Sequence, residues 1–551
     1  MKSNSKVWMG VTLTAILVGT VAIAGCSSKS KEPASSATGT EVAVKKGNIT
    51  SSMYDRGGVA ASEGSYEDNR WTKWMNQNGP ANVKFVPVLR AESTKKFNVL
   101  FASGSAPDII NEYDTNFRNS LYDQKQLLPI DDLLKDMPEY QKLLNENPQL
   151  KNAGTKPDGK LYEIGKMNEA YPLQSIFIRA DWLKKLKLEA PKTTEDMLKV
   201  AKAFTELDPD GNGNKDTYGL NMSWNSELLV KGFFGDMDWA VKDGKVIRAW
   251  DNKAASLAFR KSLFDAGVLD KDYINDKTGA KAKQDFLNGK VGMYMHPNVN
   301  WFDFLVNDLA TLKKNAPEAE VTPIAFPKSS LGEFTAEVQN PVQMTTVINA
   351  KTKDPVAAAK FIDFMLKPDN ASKLISGDEG THYTKGPNGC PQVSDAAKLK
   401  SEVSYAGDYA MFMTRITNKC NYVQNQFNQD LPDQKSALDL FKLAQTVYLD
   451  PSKQYPRIAV GEHMPPFSND LNVIKTNVDK EILDLEVRTI VGGDKYSTEQ
   501  GMKDMKSAWD KAGGKQLEDF MNSWYTDNKE KAFLAKDVWD IVNKQKDEVN
   551  K

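Results

Sequence analysis

The feature that most narrows the fold is an alternation: short β-type runs and segments with apolar residues at helical spacing follow one another along the chain. That alternation predicts α/β architecture. Strands are predicted over Asn48–Asp55, Val83–Leu89, Asp108–Glu112, Ser175–Arg179, Tyr218–Met222, Val291–Met295, Val321–Phe326 and Met344–Asn349. Helices are predicted over Trp182–Leu188, Thr194–Leu207 and Lys360–Leu366, the second with Thr193 or Thr194 as N-cap and Glu195 and Asp196 in its acidic first turn. Beyond about residue 430 the pattern is mostly helical, over Gln434–Leu449, Val478–Ile490, Met502–Ala512 and Gln516–Tyr525. No repeat of 20 to 50 residues is present, and 551 residues suffice for two or three cores.

The N-terminus addresses the chain to a compartment. Lys2 and Lys6 precede an uncharged apolar run from Val7 to Gly25, which is an export signal; the competing reading is a permanent membrane helix. Ile23-Ala24-Gly25-Cys26 resembles the bacterial lipobox, in which the thiol receives a diacylglycerol, so Cys26 is the expected lipidation site and residues 1–25 the signal peptide. Residues 26–41, Ser/Lys/Ala-rich without apolar period, read as a flexible tether. Loss of Lys2 and Lys6 takes the formal charge from −1 to −3. With 72 basic against 73 acidic residues, the chain lacks the cationic excess that nucleic-acid binding requires. Outside the cytoplasm Cys390 and Cys420 form an even pair, and both a bridge and two buried thiols remain open. The three histidines, His296, His382 and His463, lie far apart and announce no zinc or iron site.

The sharpest chemical motif is Asp208-Pro209-Asp210-Gly211-Asn212-Gly213-Asn214-Lys215-Asp216. Oxygen donors at positions 1, 3 and 5, glycine at 6, a carbonyl at 7 and an acid at 9 follow the first part of a helix-loop-helix calcium loop. Position 12 is Gly219, where a bidentate Glu is expected. Asp208, Asp210, Asn212, Asn214 and Asp216 are therefore candidate ligands of a structural Ca2+; the plain alternative is an Asx-rich turn.

These landmarks bring a family into view. Ile178-Arg179-Ala180-Asp181-Trp182-Leu183-Lys184-Lys185-Leu186, then Ala190-Pro191-Lys192-Thr193-Thr194-Glu195, the calcium loop and Asp216-Thr217-Tyr218-Gly219-Leu220 closely resemble family 1 extracellular solute-binding proteins of bacterial ABC importers. Ser105-Ala106-Pro107-Asp108-Ile109, Phe286-Leu287-Asn288-Gly289-Lys290-Val291-Gly292-Met293, Gly377-Asp378-Glu379-Gly380-Thr381-His382-Tyr383 and Thr489-Ile490-Val491-Gly492-Gly493 continue the resemblance in family order, over roughly residues 42 to 540. The length, lipobox and calcium loop resemble most the large lipoprotein branch of alginate-oligosaccharide binders and YtcQ- and LipO-like proteins. Thr217 departs from the acid that follows position 9 in calcium-bound relatives.

The resemblance implies a two-lobed, type II periplasmic-binding-protein-like clamshell with a helical C-terminal region. Lobe 1 begins at 42–170; lobe 2 begins at 171–320 and holds the calcium loop; 321–385 crosses over and returns to lobe 1; 386–551 completes lobe 2, mainly as helix. It further implies a monomer, tethered to the membrane through the lipid on Cys26, that delivers an oligosaccharide to ABC permease transmembrane subunits.

Open α/β sheets bind ligands at the carboxyl ends of their strands. This nominates Asp55 and Arg56, Glu112, and His296, Asn298 and Trp301. Sugars stack their CH faces on aromatic rings, which adds Trp224 and Trp239 from the eleven tryptophans. Glu379, His382 and Tyr383 follow a helix and glycine in a family landmark and complete the candidates. Trp182 reads as packing, and Trp71 and Trp74 as weaker candidates. A binder of peptides or other small polar solutes is the nearer alternative; a secreted carbohydrate-active enzyme is the remoter one. No Gly-x-Ser-x-Gly, His-Glu-x-x-His or Gly-x-x-x-x-Gly-Lys-Ser/Thr motif occurs, and the expectation is a binding protein, not an enzyme.

Overall fold

The computed structural model describes residues 46–223, 225–296, 300–414, 416–417, 420–453, 463–529 and 532–549. The expected signal peptide, the lipidated Cys26 and the tether lie outside the described residues, as do Trp224 and Asn298.

Two sheets organise residues 46 onward. The first runs Ala81–Leu89, Gly47–Asp55, Ile109–Asn111, Val342–Ile348, Glu163–Met167. Gly47–Asp55 pairs in parallel with Ala81–Leu89 along its length and with Ile109 through Ser51, whereas Val342–Ile348 is antiparallel to both its neighbours. Four of the five strands thus point the same way, and their carboxyl ends emerge on one edge. The second sheet runs Val321–Ile324, Ser175–Arg179, Val291–His296, Tyr218–Leu220. The architecture is α/β, as expected. Glu163–Met167, absent from the predicted strands, is buried throughout despite its two charged residues. Glu163 is paired with Arg118 at 3.0 Å and also with Lys156. Burial disfavours its ionised form, but the two cations outweigh this and hold the carboxyl's pKa below the usual range.

Local chemistry places the helices. Thr193 caps Thr194–Glu206: its hydroxyl accepts the Asp196 N–H at 3.1 Å and the Asp196 carboxylate accepts the Thr193 N–H at 3.1 Å, a reciprocal capping box. Trp182 and Phe204 meet edge to face inside the second lobe, as its packing role requires.

Two crossing segments pair antiparallel between the lobes: Asn168 N–H donates to Pro341 O (3.0 Å), Leu173 N–H to Glu337 O (2.7 Å) and Gln339 N–H to Tyr171 O (2.9 Å). Pro432–Tyr448, Asn469–Val491, Thr498–Ala512 and Gly514–Asn528 pack on the second lobe's core. The expected assignment of all of 386–551 to that lobe needs correction. Val403, Tyr405, Tyr409 and Phe412 join the first lobe's core, as do Trp539, Ile541 and Val542 of the last helix, Ala535–Val549. The last helix also reaches the crossing segment, where Gln545 accepts the Ala170 N–H (2.7 Å) and donates to Asn168 O (2.9 Å). Cys390 and Cys420 are bridged, with their Cα atoms 5.4 Å apart.

Candidate functional site

A cleft of about 530 Å³ opens where the crossing segments meet both lobes. Its first-lobe wall comes from the four codirectional strands: Arg56 follows the first, Arg90 the second, Tyr113 the third, and Lys166 stands near the end of Glu163–Met167. An adjoining space of about 280 Å³ shares Arg56, Tyr113 and Lys166 and reaches Asp408. The second lobe contributes Asn300 and Trp301; the crossing segments contribute Asn168, Glu169, Tyr171 and Gln339. Tyr422 and Gln426 close the remaining side.

Cations gather around aromatic rings on the first-lobe wall. The Arg90 guanidinium lies 5.7 Å from the Tyr54 ring and 5.6 Å from the Tyr113 ring, and these rings are 5.9 Å apart. Lys166 Nζ is 5.5 Å from the Tyr113 ring and 3.4 Å from its hydroxyl. Arg56 pairs with Asp408 at 2.7 Å and stacks on Tyr54. Beneath them Glu112 accepts the Tyr54 hydroxyl at 2.5 Å and the Asp114 N–H at 2.9 Å, so this candidate positions the rings from below. Burial, then Glu112, pushes the Tyr54 phenol far above its ordinary range. Asp55 accepts the Gly57 N–H at 2.9 Å and shapes the loop that carries Arg56.

Glu169 is the one carboxyl on the central cavity's wall among the described residues, and only 4% of it is exposed. One oxygen accepts the Val423 N–H at 3.0 Å; the other is buried without a partner. Burial pushes the acid up to about 7, against the pull of the Val423 and Tyr422 N–H groups.

The structure scatters several other expected contacts. Trp301 reaches the cleft wall but is 1% exposed, donates to Pro172 O at 3.2 Å and packs on Phe441. His296 lies buried against Phe304 at 4.1 Å, and burial lowers it to about 3, so it is a neutral core ring. Trp239 packs on Trp509 and Arg248 inside the second lobe, away from the cleft. His382 accepts the Asp378 N–H at 2.9 Å and meets Glu402 at 3.1 Å, which holds the turn after Gly377. Glu379 is exposed and paired with Lys385, and Tyr383 lines a small separate hollow beside Cys420. Sequence reasoning missed Arg90 and Lys166. The strand-end rule reaches Arg90 when applied to every parallel strand; Lys166 sits in a strand that its charges disguise.

The acidic loop is an exposed turn. Asp208 accepts N–H groups of Gly211, Asn212 and Gly213 at 3.0–3.1 Å, while the Asn212 amide donates to Asp210 (2.7 Å) and Asp216 (3.2 Å). Burial and the neighbouring Asp208 raise the Asp210 acid, and Lys290 stands 3.1 Å from Asp216. Three carboxylates gathered around Asn212 supply the oxygen chemistry a hard cation needs. Among the described residues, no His, Cys, Asp or Glu group of three or more forms a ready metal cluster.

Comparison with known proteins supplies the family. The model of the bacterial extracellular solute-binding proteins matches residues 60–372, more than half of the chain. Lipoprotein LipO of Bacillus subtilis is 25% identical over 548 residues, 95% of this chain and 99% of its own. The polygalacturonan/rhamnogalacturonan-binding protein YtcQ of the same organism is 29% identical over 325 residues, 56% of this chain and 62% of its own. FusA of Streptococcus pneumoniae, a fructooligosaccharide transporter substrate-binding protein, is 27% identical over 398 residues, 67% of this chain and 71% of its own. FusA solved with kestose superposes with a TM-score of 0.62 at 20% identity, over 88% of this chain and 99% of that one, which is a likeness of fold. With its two sheets, paired crossing segments and interlobe cleft, the chain belongs to the bacterial extracellular solute-binding protein family.

Proposed function

We propose that the chain captures an oligosaccharide between its lobes and delivers it to the permease subunits of an ABC importer, working as a monomer anchored outside the membrane through Cys26. The observation that carries this reading is the cleft itself: strand-end cations, tyrosine faces and amides converge from both lobes on one space. Rings suit sugar CH faces, and the amides of Asn168, Asn300, Gln339 and Gln426 suit hydroxyls. Capture needs no bond making. Ligand that touches both walls binds the closed form better than the open form, so it shifts the population toward closure about the crossing segments. Among the described residues no helix is long and apolar enough to cross a membrane.

Ca2+ belongs to this reading as a structural ion. Asp208, Asp210 and Asp216 would hold it with Asn212 and the Asn214 carbonyl, replacing repulsion among the three acids by attraction to one cation. One titration tests both parts: the full chain, purified in detergent, is melted with neutral and acidic oligosaccharides and with peptides, each with Ca2+ or chelator. We expect a rise in midpoint with one oligosaccharide class, recovery of that saccharide unchanged, and a separate rise with Ca2+ alone. A rise with peptides only, or consumption of the saccharide, would sink the reading.

A further inference from the structure

We propose that the saccharide is acidic: the cleft recognises sugar carboxylates through Arg90 and Lys166 on either side of the Tyr113 ring. This rests on the capture reading above and deepens it. The whole chain carries a formal charge of −1, yet among the described residues its central cavity is lined by Arg56, Arg90 and Lys166 against the one carboxyl of Glu169. The positive wall is therefore local and opposes the charge of the rest of the molecule. A neutral sugar gains no advantage from it, because a cation desolvated against a hydroxyl lacks charge compensation.

Three acids near this wall already have partners, while Glu92 and Asp114 line the adjoining space beside Arg90. Asp408 pairs with Arg56, and Glu112 accepts from Tyr54 and from the Asp114 N–H beneath the rings. Glu169 is tied to the Val423 N–H. Arg90 is the informative residue: it has no carboxylate partner among the described residues, and its guanidinium lies 5.7 and 5.6 Å from two tyrosine rings on the cleft wall. A guanidinium offers a planar fork for bidentate carboxylate binding. Lys166, 5% exposed, adds a second charge from the floor, on the other strand end that reaches Tyr113. Among the described residues the second-lobe wall, Asn300 and Trp301, is uncharged, so the carboxylate contacts we infer come from the first lobe.

The experiment compares matched probes. The full chain is titrated calorimetrically with tri- to hexasaccharides of galacturonate, glucuronate and mannuronate, and with the same oligomers after their carboxyl groups are reduced to alcohols. We expect at least one uronate series to bind and its reduced counterpart to bind at least tenfold more weakly, with uronate affinity falling as salt rises. Arg90→Gln should lower uronate affinity about 10- to 100-fold and leave the reduced series unmoved, the loss of one charge-assisted bidentate contact. Arg90→Lys should recover part of it. Arg90 is exposed, so an unchanged apo melting midpoint checks that the variant folds. Equal binding of the two series, or binding of neutral oligosaccharides only, overturns the acidic inference and leaves saccharide capture standing. Failure of every saccharide while acidic peptides bind overturns both.

Discussion

The two lobes spend their charges differently. The first lobe sends cations to the cleft from three of its strand ends and keeps a small buried group, Glu163 between Arg118 and Lys156. Among the described residues the second contributes uncharged Asn300 and Trp301 to the cleft and keeps a buried charge network that does not line it: Arg260 and Lys253 meet Glu486 at 2.9 and 2.7 Å, Lys231 meets it at 3.1 Å, and Lys253 meets Asp236 at 3.3 Å. That network staples Trp250–Asp265 to Asn469–Val491. One lobe therefore lines the cleft with cations, and the other carries helices held by buried ion pairs.

The comparison breaks most easily at Glu486. Glu486→Gln removes the carboxylate that three cations share, leaving Asp236 and Glu227 to balance them, and should cost about 3–5 kcal/mol of stability. Glu163→Gln strands two, and its cost should be no larger. Chemical unfolding of both variants checks the order, and equal ligand affinity of Glu486→Gln and the parent would confirm that the network serves the lobe and not the cleft.

Glu169, between the lobes, gives a pH test. Its acid is raised in the folded state to about 7, above the ordinary carboxylate value of about 4.3 in the unfolded chain. The folded state therefore binds the proton more tightly, and stability is highest below the unfolded value. It falls as pH rises through the window between the two values and stays reduced above 7, a loss of order 3 kcal/mol. Glu169→Gln should flatten this slope; an unchanged slope in pH-dependent unfolding would remove Glu169 as its source.

The smallest expected effect lies at the hinge. Gln545→Ala removes both bonds to the crossing segment and should cost about 1–2 kcal/mol. Amide hydrogen exchange of residues 168–171 should quicken while the sheets' exchange stays put.

Much of the fold is legible in local pattern. Ser175–Arg179 is a strand with the predicted bounds, and Thr193 caps its helix as its spacing requires, because capping and strand periodicity act within a few residues. The site is less legible. Trp239 and His296 have the right residue types, but burial places them in the core, and burial is a property of distant chain segments. Glu163–Met167 looks too polar for a central strand until Arg118 and Lys156 arrive from elsewhere to neutralise it.

By itself, then, the chain's order of residues determined the α/β alternation, the capped helices, the acidic turn and the strand-end Arg56, all consequences of short-range geometry. Tertiary structure alone decided that Arg90 and Lys166 flank one tyrosine, that Cys390 meets Cys420, and that the final helix returns to Ala170. Those outcomes depend on contacts between residues tens to hundreds of positions apart, which packing selects and local sequence does not encode.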